Sequence, residues 1–279
     1  MPLQLGNTAV SKMYLGDDEV TRMYLGDNLV YDNAPVTGTT VYLLGRQSLI
    51  TANTSTWRAT QFSNNRYGIG ETEASGLAYV GNTLYTVGGT NEALYTLDPT
   101  TALATRIGTS VDFGVSESFP NKLASIGTTL YMASQSNEDF NTGRASQGHL
   151  YTVNTTTGVA TRIFTFPLSS NMTNSPDGIA SIGTTLYVSL TVDRGANATL
   201  YSIDTTSSPL TLNRVGSVTN YNVGVTYMSA LAVLNDSLYG IDYFTGNVYT
   251  IDTTTSIATR VGSTNISIIE DMAFAPETN

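Results

Sequence analysis

The chain has 279 residues with 12 Lys+Arg against 22 Asp+Glu, a net charge of −10, and only two lysines, Lys12 and Lys122. Such a balance offers no basic surface for nucleic acid or an anionic membrane. With no cysteine, disulfides, iron–sulfur clusters and thiol nucleophiles are excluded; no apolar run is long enough for a membrane helix, and the N-terminal residues lack the basic region and apolar core of a signal peptide.

The first element is a repeat. Residues 11–30 read SKMYLGDDEV TRMYLGDNLV, one ten-residue phrase stated twice, and MPLQLGNTAV at 1–10 fits as a worn third copy. Each unit predicts a strand, a Gly-Asp turn and a short second strand. Residues 1–33 hold too little core to fold alone. Met13, Tyr14, Leu15, Met23, Tyr24 and Leu25 would stay exposed in a lone copy. Burial against identical chains or a larger body is therefore expected, and packing on the chain's own main domain is the alternative. APVTGT at 34–39 is the predicted linker.

A longer repeat occupies residues 40–279. GLAYVGNTLYTVGGTNEALYTLDPTTALATRIGT at 76–109 recurs from Lys122, from Gly178 and from Ala230, each time as four short alternating runs parted by Gly, Asn, Asp and Thr. That is a strand signature, four times per copy. LITANTSTWRATQFS at 49–63 aligns without a gap on LYTLDPTTALATRIG at 94–108, and residues 39–45 precede it as a second strand. This copy lacks its first strand. EDMAFAPETN at 270–279 supplies it, with Met272 on Leu77. Four-stranded repeats with one copy split between the two ends predict an all-β fold, a closed five-bladed β-propeller. The GLAYV-like strand should line the central channel, and ATRIG should form the outer edge. Arg106, Arg162, Arg214 and Arg260 recur on that edge, where a charge discourages pairing with another sheet.

The loops divide the ring into two rims. The first–second and third–fourth strand loops are short and uniform, whereas the second–third and inter-blade loops vary in length and composition. Variable loops on a rigid scaffold are where binding residues commonly sit. They carry the aromatics Tyr67, Phe113, Phe119, Phe140, Tyr221, Tyr227, Tyr243 and Phe244, and acidic residues including Asp177 and Asp193. Aromatic faces beside carboxylates suit sugars, whose C–H faces stack and whose hydroxyls need polar partners. No metal or cofactor is expected: the chain has a single histidine, His149, and no phosphate-cradling glycine loop or nucleophile elbow. Catalysis is not expected either, although paired carboxylates could serve glycoside hydrolysis if two of them converged.

The doubled phrase Ser-Lys-Met-Tyr-Leu-Gly-Asp-Asp-Glu-Val, ending in Val30-Tyr31-Asp32, resembles N-terminal segments of tailed-bacteriophage structural proteins. In those proteins similar YLG units precede variable domains of fibre, tail or head-decoration type. The resemblance covers residues 1–33 and implies a virion location, attachment to other virion proteins and oligomerisation. It implies nothing about the propeller's ligand. Joined to the rim, it gives a virion protein displaying a propeller for a host-surface glycan. The alternatives are a decoration protein of head, neck or tail without a sugar, and a polysaccharide-cleaving enzyme.

Overall fold

A computed structural model describes residues 39–45, 48–61, 67, 74–88, 93–109, 113, 122–135, 148–167, 175–192 and 197–276, together with the backbone of six short strands between residues 4 and 32. The chain divides into two compact units, Met1–Gly38 and Thr39–Asn279.

In the first unit each decapeptide is one antiparallel pair. β1 (Gln4–Leu5) pairs with β2 (Thr8–Ala9), β3 (Tyr14–Leu15) with β4 (Asp18–Glu19), and β5 (Arg22–Leu25) with β6 (Asn28–Asp32). Tyr14 stands opposite Glu19 and Tyr24 opposite Leu29.

The second unit is a five-bladed propeller of four-stranded antiparallel sheets. The split blade holds β7 (Thr40–Gly45), β8 (Ser48–Asn53) and β9 (Ala59–Gln61). The second blade holds β10 (Ala74–Val80), β11 (Thr83–Gly88), β12 (Ala93–Leu97) and β13 (Ala104–Arg106). In the third are β14 (Lys122–Ile126), β15 (Thr129–Gln135), β16 (Gly148–Val153) and β17 (Ala160–Thr165). The fourth has β18 (Ser175–Ile182), β19 (Thr185–Val192), β20 (Asn197–Asp204) and β21 (Asn213–Arg214). The fifth has β22 (Met228–Leu234), β23 (Ser237–Asp242), β24 (Asn247–Ile251) and β25 (Ala258–Ser263). β26 (Ile269–Phe274) then joins the split blade, giving the order β26-β7-β8-β9. Met272 stands opposite Leu43 and Phe274 opposite Val41, so the last strand closes the ring as expected.

Alternation within the strands explains the core. Leu43 belongs to the cluster shared with the fifth blade, while its neighbour Leu44 belongs to the one shared with the second. Each blade thus buries both faces, and the core is a set of inter-blade clusters rather than one central mass. Of the recurring Leu-Tyr pairs, Leu84, Leu130, Leu186 and Leu238 are fully buried. On the outer edge Arg106, Arg162, Arg214 and Arg260 each stand opposite a tyrosine: Tyr95, Tyr151, Tyr201 and Tyr249. All four arginines are exposed.

The uniform rim owes its sameness to one device. Asn53, Asp98, Asn154, Asp204 and Asp252 each accept backbone N–H bonds from the following turn, as in Asp252 Oδ1 with the amides of Thr254 and Thr255, both at 2.8 Å. These amides stabilise the ionised carboxylate and lower the pKa of Asp98, Asp204 and Asp252. The preceding blade docks against these turns. Gly216 (φ +61°) approaches so closely that a Cβ there would lie 2.1 Å from the Thr255 carbonyl oxygen. Gly216→Ala should therefore strain the backbone and push two blades apart, costing about 2–4 kcal/mol. A midpoint in urea unchanged from the parent chain would show that this contact yields.

Candidate functional site

The five inner strands β10, β14, β18, β22 and β26 line the central channel, whose cavity measures about 230 Å³. Serine side chains stitch these strands together: Ser125 Oγ donates to the Tyr79 carbonyl at 2.5 Å, and Ser181 Oγ to the Ser125 carbonyl at 2.6 Å. At the irregular-rim end four of the strands carry the same irregularity. The register slips between Ala74 and Gly76, Pro176 and Gly178, Met228 and Ala230, and Ile269 and Asp271. Ser75, Asp177, Ser229 and Glu270 are thereby released from the ladder. A bulge of this kind re-aims a side chain and is frequent beside functional sites. Asp177, expected in a loop, is thus a bulge residue of the fourth blade.

Lys122 opens the inner strand of the third blade and is fully buried. Its Nζ donates to the Ser75 carbonyl at 3.2 Å and to the Glu270 carbonyl, and it pairs with Glu270 Oε2 at 3.6 Å. One ammonium thereby ties the second blade to the closing strand. Asp271 does the same with the opposite charge. Its Oδ2 accepts the Leu77 amide and its Oδ1 the Met272 amide, both at 2.9 Å. Burial raises the Asp271 carboxyl to about 7, against the opposing pull of Lys122 and these amides. Lys122, Glu270 and Asp271 were not among the expected site residues. A signal existed: Lys122 is the sole lysine after residue 12, and it stands beside an apolar strand.

Asp177 is fully buried. Thr191 Oγ1 donates to its Oδ2, while Oδ1 has no hydrogen-bond partner. Burial lifts its carboxyl to about 8, with Thr191 and Lys122 pulling the other way. The negative charges of Asp177 and Glu270 in turn help burial to raise the Tyr227 phenol.

Tyr227, Tyr243 and Phe244 form an aromatic cluster on this rim. Their ring centroids lie 5.1 Å (Tyr227–Tyr243), 5.3 Å (Tyr243–Phe244) and 6.2 Å (Tyr227–Phe244) apart, within the range of favourable aromatic pairs. Tyr227 and Tyr243 are half-buried, and Phe244 is 65 % exposed. The supporting turn is rigidly tied. Asp242 Oδ1 accepts the Phe244 amide at 3.0 Å, and its Oδ2 accepts Thr245 Oγ1 at 2.6 Å. The Tyr243 amide donates to the Tyr227 carbonyl at 3.1 Å, and the Ile268 amide to the Tyr243 carbonyl at 2.7 Å.

Three other expected aromatics are corrected by their burial. Tyr67, Phe113 and Tyr221 are buried plugs of three different inter-blade clusters. Tyr67 Oη donates to the Gly45 carbonyl at 2.6 Å and Tyr221 Oη to Ser189 Oγ at 2.7 Å, so both phenols titrate above the usual range because burial disfavours the phenolate. Each stands ten residues before an inner-strand leucine, Leu77, Leu123 or Leu231. That constant offset was readable and marks a packing role, since a ligand contact has no reason to keep register with the core. Phe119, Phe140 and Asp193 lie outside the described residues, as do the side chains of Met13, Tyr14, Leu15, Met23, Tyr24 and Leu25. His149 is packed, with Nδ1 3.1 Å from Thr165 Oγ1. Among the described residues no three metal-ligating side chains converge, and no helix is long and apolar enough to cross a membrane.

No protein-family model and no curated protein matches the sequence. Solved structures do resemble the fold. A chain of a nidogen/laminin complex superposes with a TM-score of 0.56 at 12 % identity, over 86 % of this chain and 99 % of its own length. YjhT gives 0.51 at 11 % identity over 82 % of each chain. A calcium-binding regucalcin from Agrobacterium tumefaciens gives 0.50 at 15 % identity, over 83 % of this chain and 72 % of that one. The likeness is one of fold.

The buried carboxyl of Asp177 has a thermodynamic signature. Its folded-state value, about 8, lies above the ordinary carboxylate value of about 4, so folding favours the protonated form. The stability it contributes is complete below about pH 4 and is lost as pH rises towards about 8. Among the described residues, Lys122, Tyr221 and Tyr227 are the titratable groups coupled to it. Asp177→Asn, isosteric and uncharged, should therefore melt increasingly above the parent chain between about pH 5 and 8. A melting difference that does not change with pH would refute the assignment.

Proposed function

We propose that the chain is a structural protein of a tailed-phage virion, attached through its N-terminal decapeptide repeats, whose propeller binds a host-surface glycan on its irregular rim. One observation carries the binding half: the clustered rings of Tyr227, Tyr243 and Phe244 stand beside the channel-mouth carboxylates. An exposed ring on a rigid turn offers a stacking face at little entropic cost. The nearby polar groups offer partners to hydroxyls. The virion half is supported by the doubled YLG phrase and by the hairpin that each copy forms. Attachment in several copies would raise avidity without strengthening any single site.

Binding rather than cleavage is the reading for the carboxylates. Asp177 and Asp271 are both fully buried and engaged in cross-strand bonds, which suits holding the rim more than flanking a glycosidic bond. A decoration role without a sugar has its own support, since Tyr67, Phe113 and Tyr221 serve packing.

Two measurements test the proposal. On an array of bacterial surface polysaccharides the full chain should give defined hits, reduced about tenfold or more by Phe244→Ala or Tyr243→Ala, as expected for loss of a hot-spot ring. A blank array would shift the assignment to decoration, and release of reducing ends would shift it to hydrolysis. Deleting residues 1–38 should leave a cooperatively melting propeller of lower oligomeric state by light scattering. An unchanged subunit number would remove the anchor.

A further inference from the structure

Left-handed backbone is uncommon outside glycine, and a β-branched residue found there is a true outlier. Among the described residues Ile268 (φ +65°) is the one β-branched residue so placed. The bulky aromatics that share this conformation, Trp57, Tyr67, Phe113 and Tyr221, are each at most 4 % exposed, so the burial of a large ring offsets their strain. Ile268 has no such compensation, because it is 43 % exposed. Strained residues persist only where their surroundings over-determine them, and they gather at ligand clamps and active sites.

The surroundings of Ile268 are the turn that carries the aromatic cluster. The Ile268 amide donates to the Tyr243 carbonyl at 2.7 Å, and the Thr264 amide to the Gly246 carbonyl at 2.9 Å. Thr264 Oγ1 adds a second bond to that carbonyl at 3.1 Å. The approach is close enough that a Cβ on Gly246 would lie 2.0 Å from the Ile266 carbonyl oxygen. Ile268 is thereby held one backbone hydrogen bond from Tyr243, whose chain neighbour Phe244 is 65 % exposed. Both exposed side chains are hydrocarbon. A hydroxymethyl group laid on them would lose water and gain no hydrogen-bond partner from either, whereas a methyl group would only shed apolar surface.

We propose that Ile268 is a binding residue, kept in a strained conformation because it extends the Phe244 face, and that this face selects a sugar bearing a methyl group. A 6-deoxy ring and an acetamido group are the two sources of such a methyl. The inference rests on the glycan reading above and adds to it a contact residue and a ligand class. Strain gives it a signature that a packing residue lacks: substitution weakens binding while raising stability. Ile268→Asn removes the apolar side chain and places a residue that tolerates the left-handed region. Ile268→Val keeps the branching, and with it the strain, and is one methylene shorter.

The test is saturation-transfer NMR on the full chain with matched pairs: galactose and 6-deoxygalactose, mannose and 6-deoxymannose, glucose and N-acetylglucosamine. In at least one pair the methyl-bearing sugar should bind about fourfold more tightly than its partner, with its methyl protons the most strongly saturated. The pair that shows the preference identifies the source of the methyl group. Ile268→Asn should lose the preference and melt about 2–4 °C above the parent chain. Ile268→Val should keep the preference and melt like the parent. An unchanged or lower melting temperature in Ile268→Asn would make Ile268 a packing residue and overturn the proposal. Equal affinities within every pair, a preference that survives in Ile268→Asn, or silence from every sugar would overturn it as well. Polysaccharide capture that is lost in Phe244→Ala but survives in Ile268→Asn would sink this inference and leave the glycan reading standing. Absence of capture by the parent chain would remove both.

Discussion

Everything in the propeller depends on the antiparallel pairing of β26 with β7. Without it the ring has two open sheet edges, and the inter-blade clusters on either side of the split blade lose one wall. Met272 and Phe274 from the last strand pack with Val41, Leu43 and Trp57 from the first blade, so the apolar term and the ladder act at one place. Polar groups at the channel mouth then reinforce the closure. Asp271 accepts the Leu77 amide, and Lys122 reaches the Ser75 and Glu270 carbonyls. These bonds join the second and third blades to the strand that arrives last in the chain.

Closure and the candidate site share residues, which has a physical consequence. Glu270 both pairs with Lys122 and contributes to the field around Tyr227. The backbone of Tyr243 is bonded to Ile268, one residue ahead of β26. A ligand on the aromatic cluster therefore rests on elements whose positions are set by ring closure, and binding there favours the closed ring by mass action. The opposite rim is governed differently. Its turns repeat one Asx-type bond from blade to blade, and close backbone approach at Gly216 leaves no room for a side chain.

Legibility in the sequence followed the periodicity. Strands, blades and closure could all be read because every copy repeats the same alternation, and a repeat that cannot bury its faces alone must stack on its neighbours. The variable rim was also legible as the part that departs from repetition, and the rings of Tyr227, Tyr243 and Phe244 cluster there. Burial within that rim was harder to see. Tyr67, Phe113 and Tyr221 carry the same residue types as a stacking platform, and their constant distance from Leu77, Leu123 and Leu231 is what separates plug from platform.

The sequence by itself determined the all-β class, the five blades, the split blade and the hairpin repeats, because each follows from spacing along one chain. Only the tertiary structure decided which charged groups meet. Lys122, Asp177 and Glu270 are far apart in sequence and come from three blades, and nothing local ties one to another. They converge because a closed ring brings the starts of its inner strands to one mouth, where bulges release Asp177 and Glu270 from the ladder. Burial of Lys122, Asp177 and Asp271 from water then makes each charge depend on its partners, which is a property of the assembled ring and of no single segment.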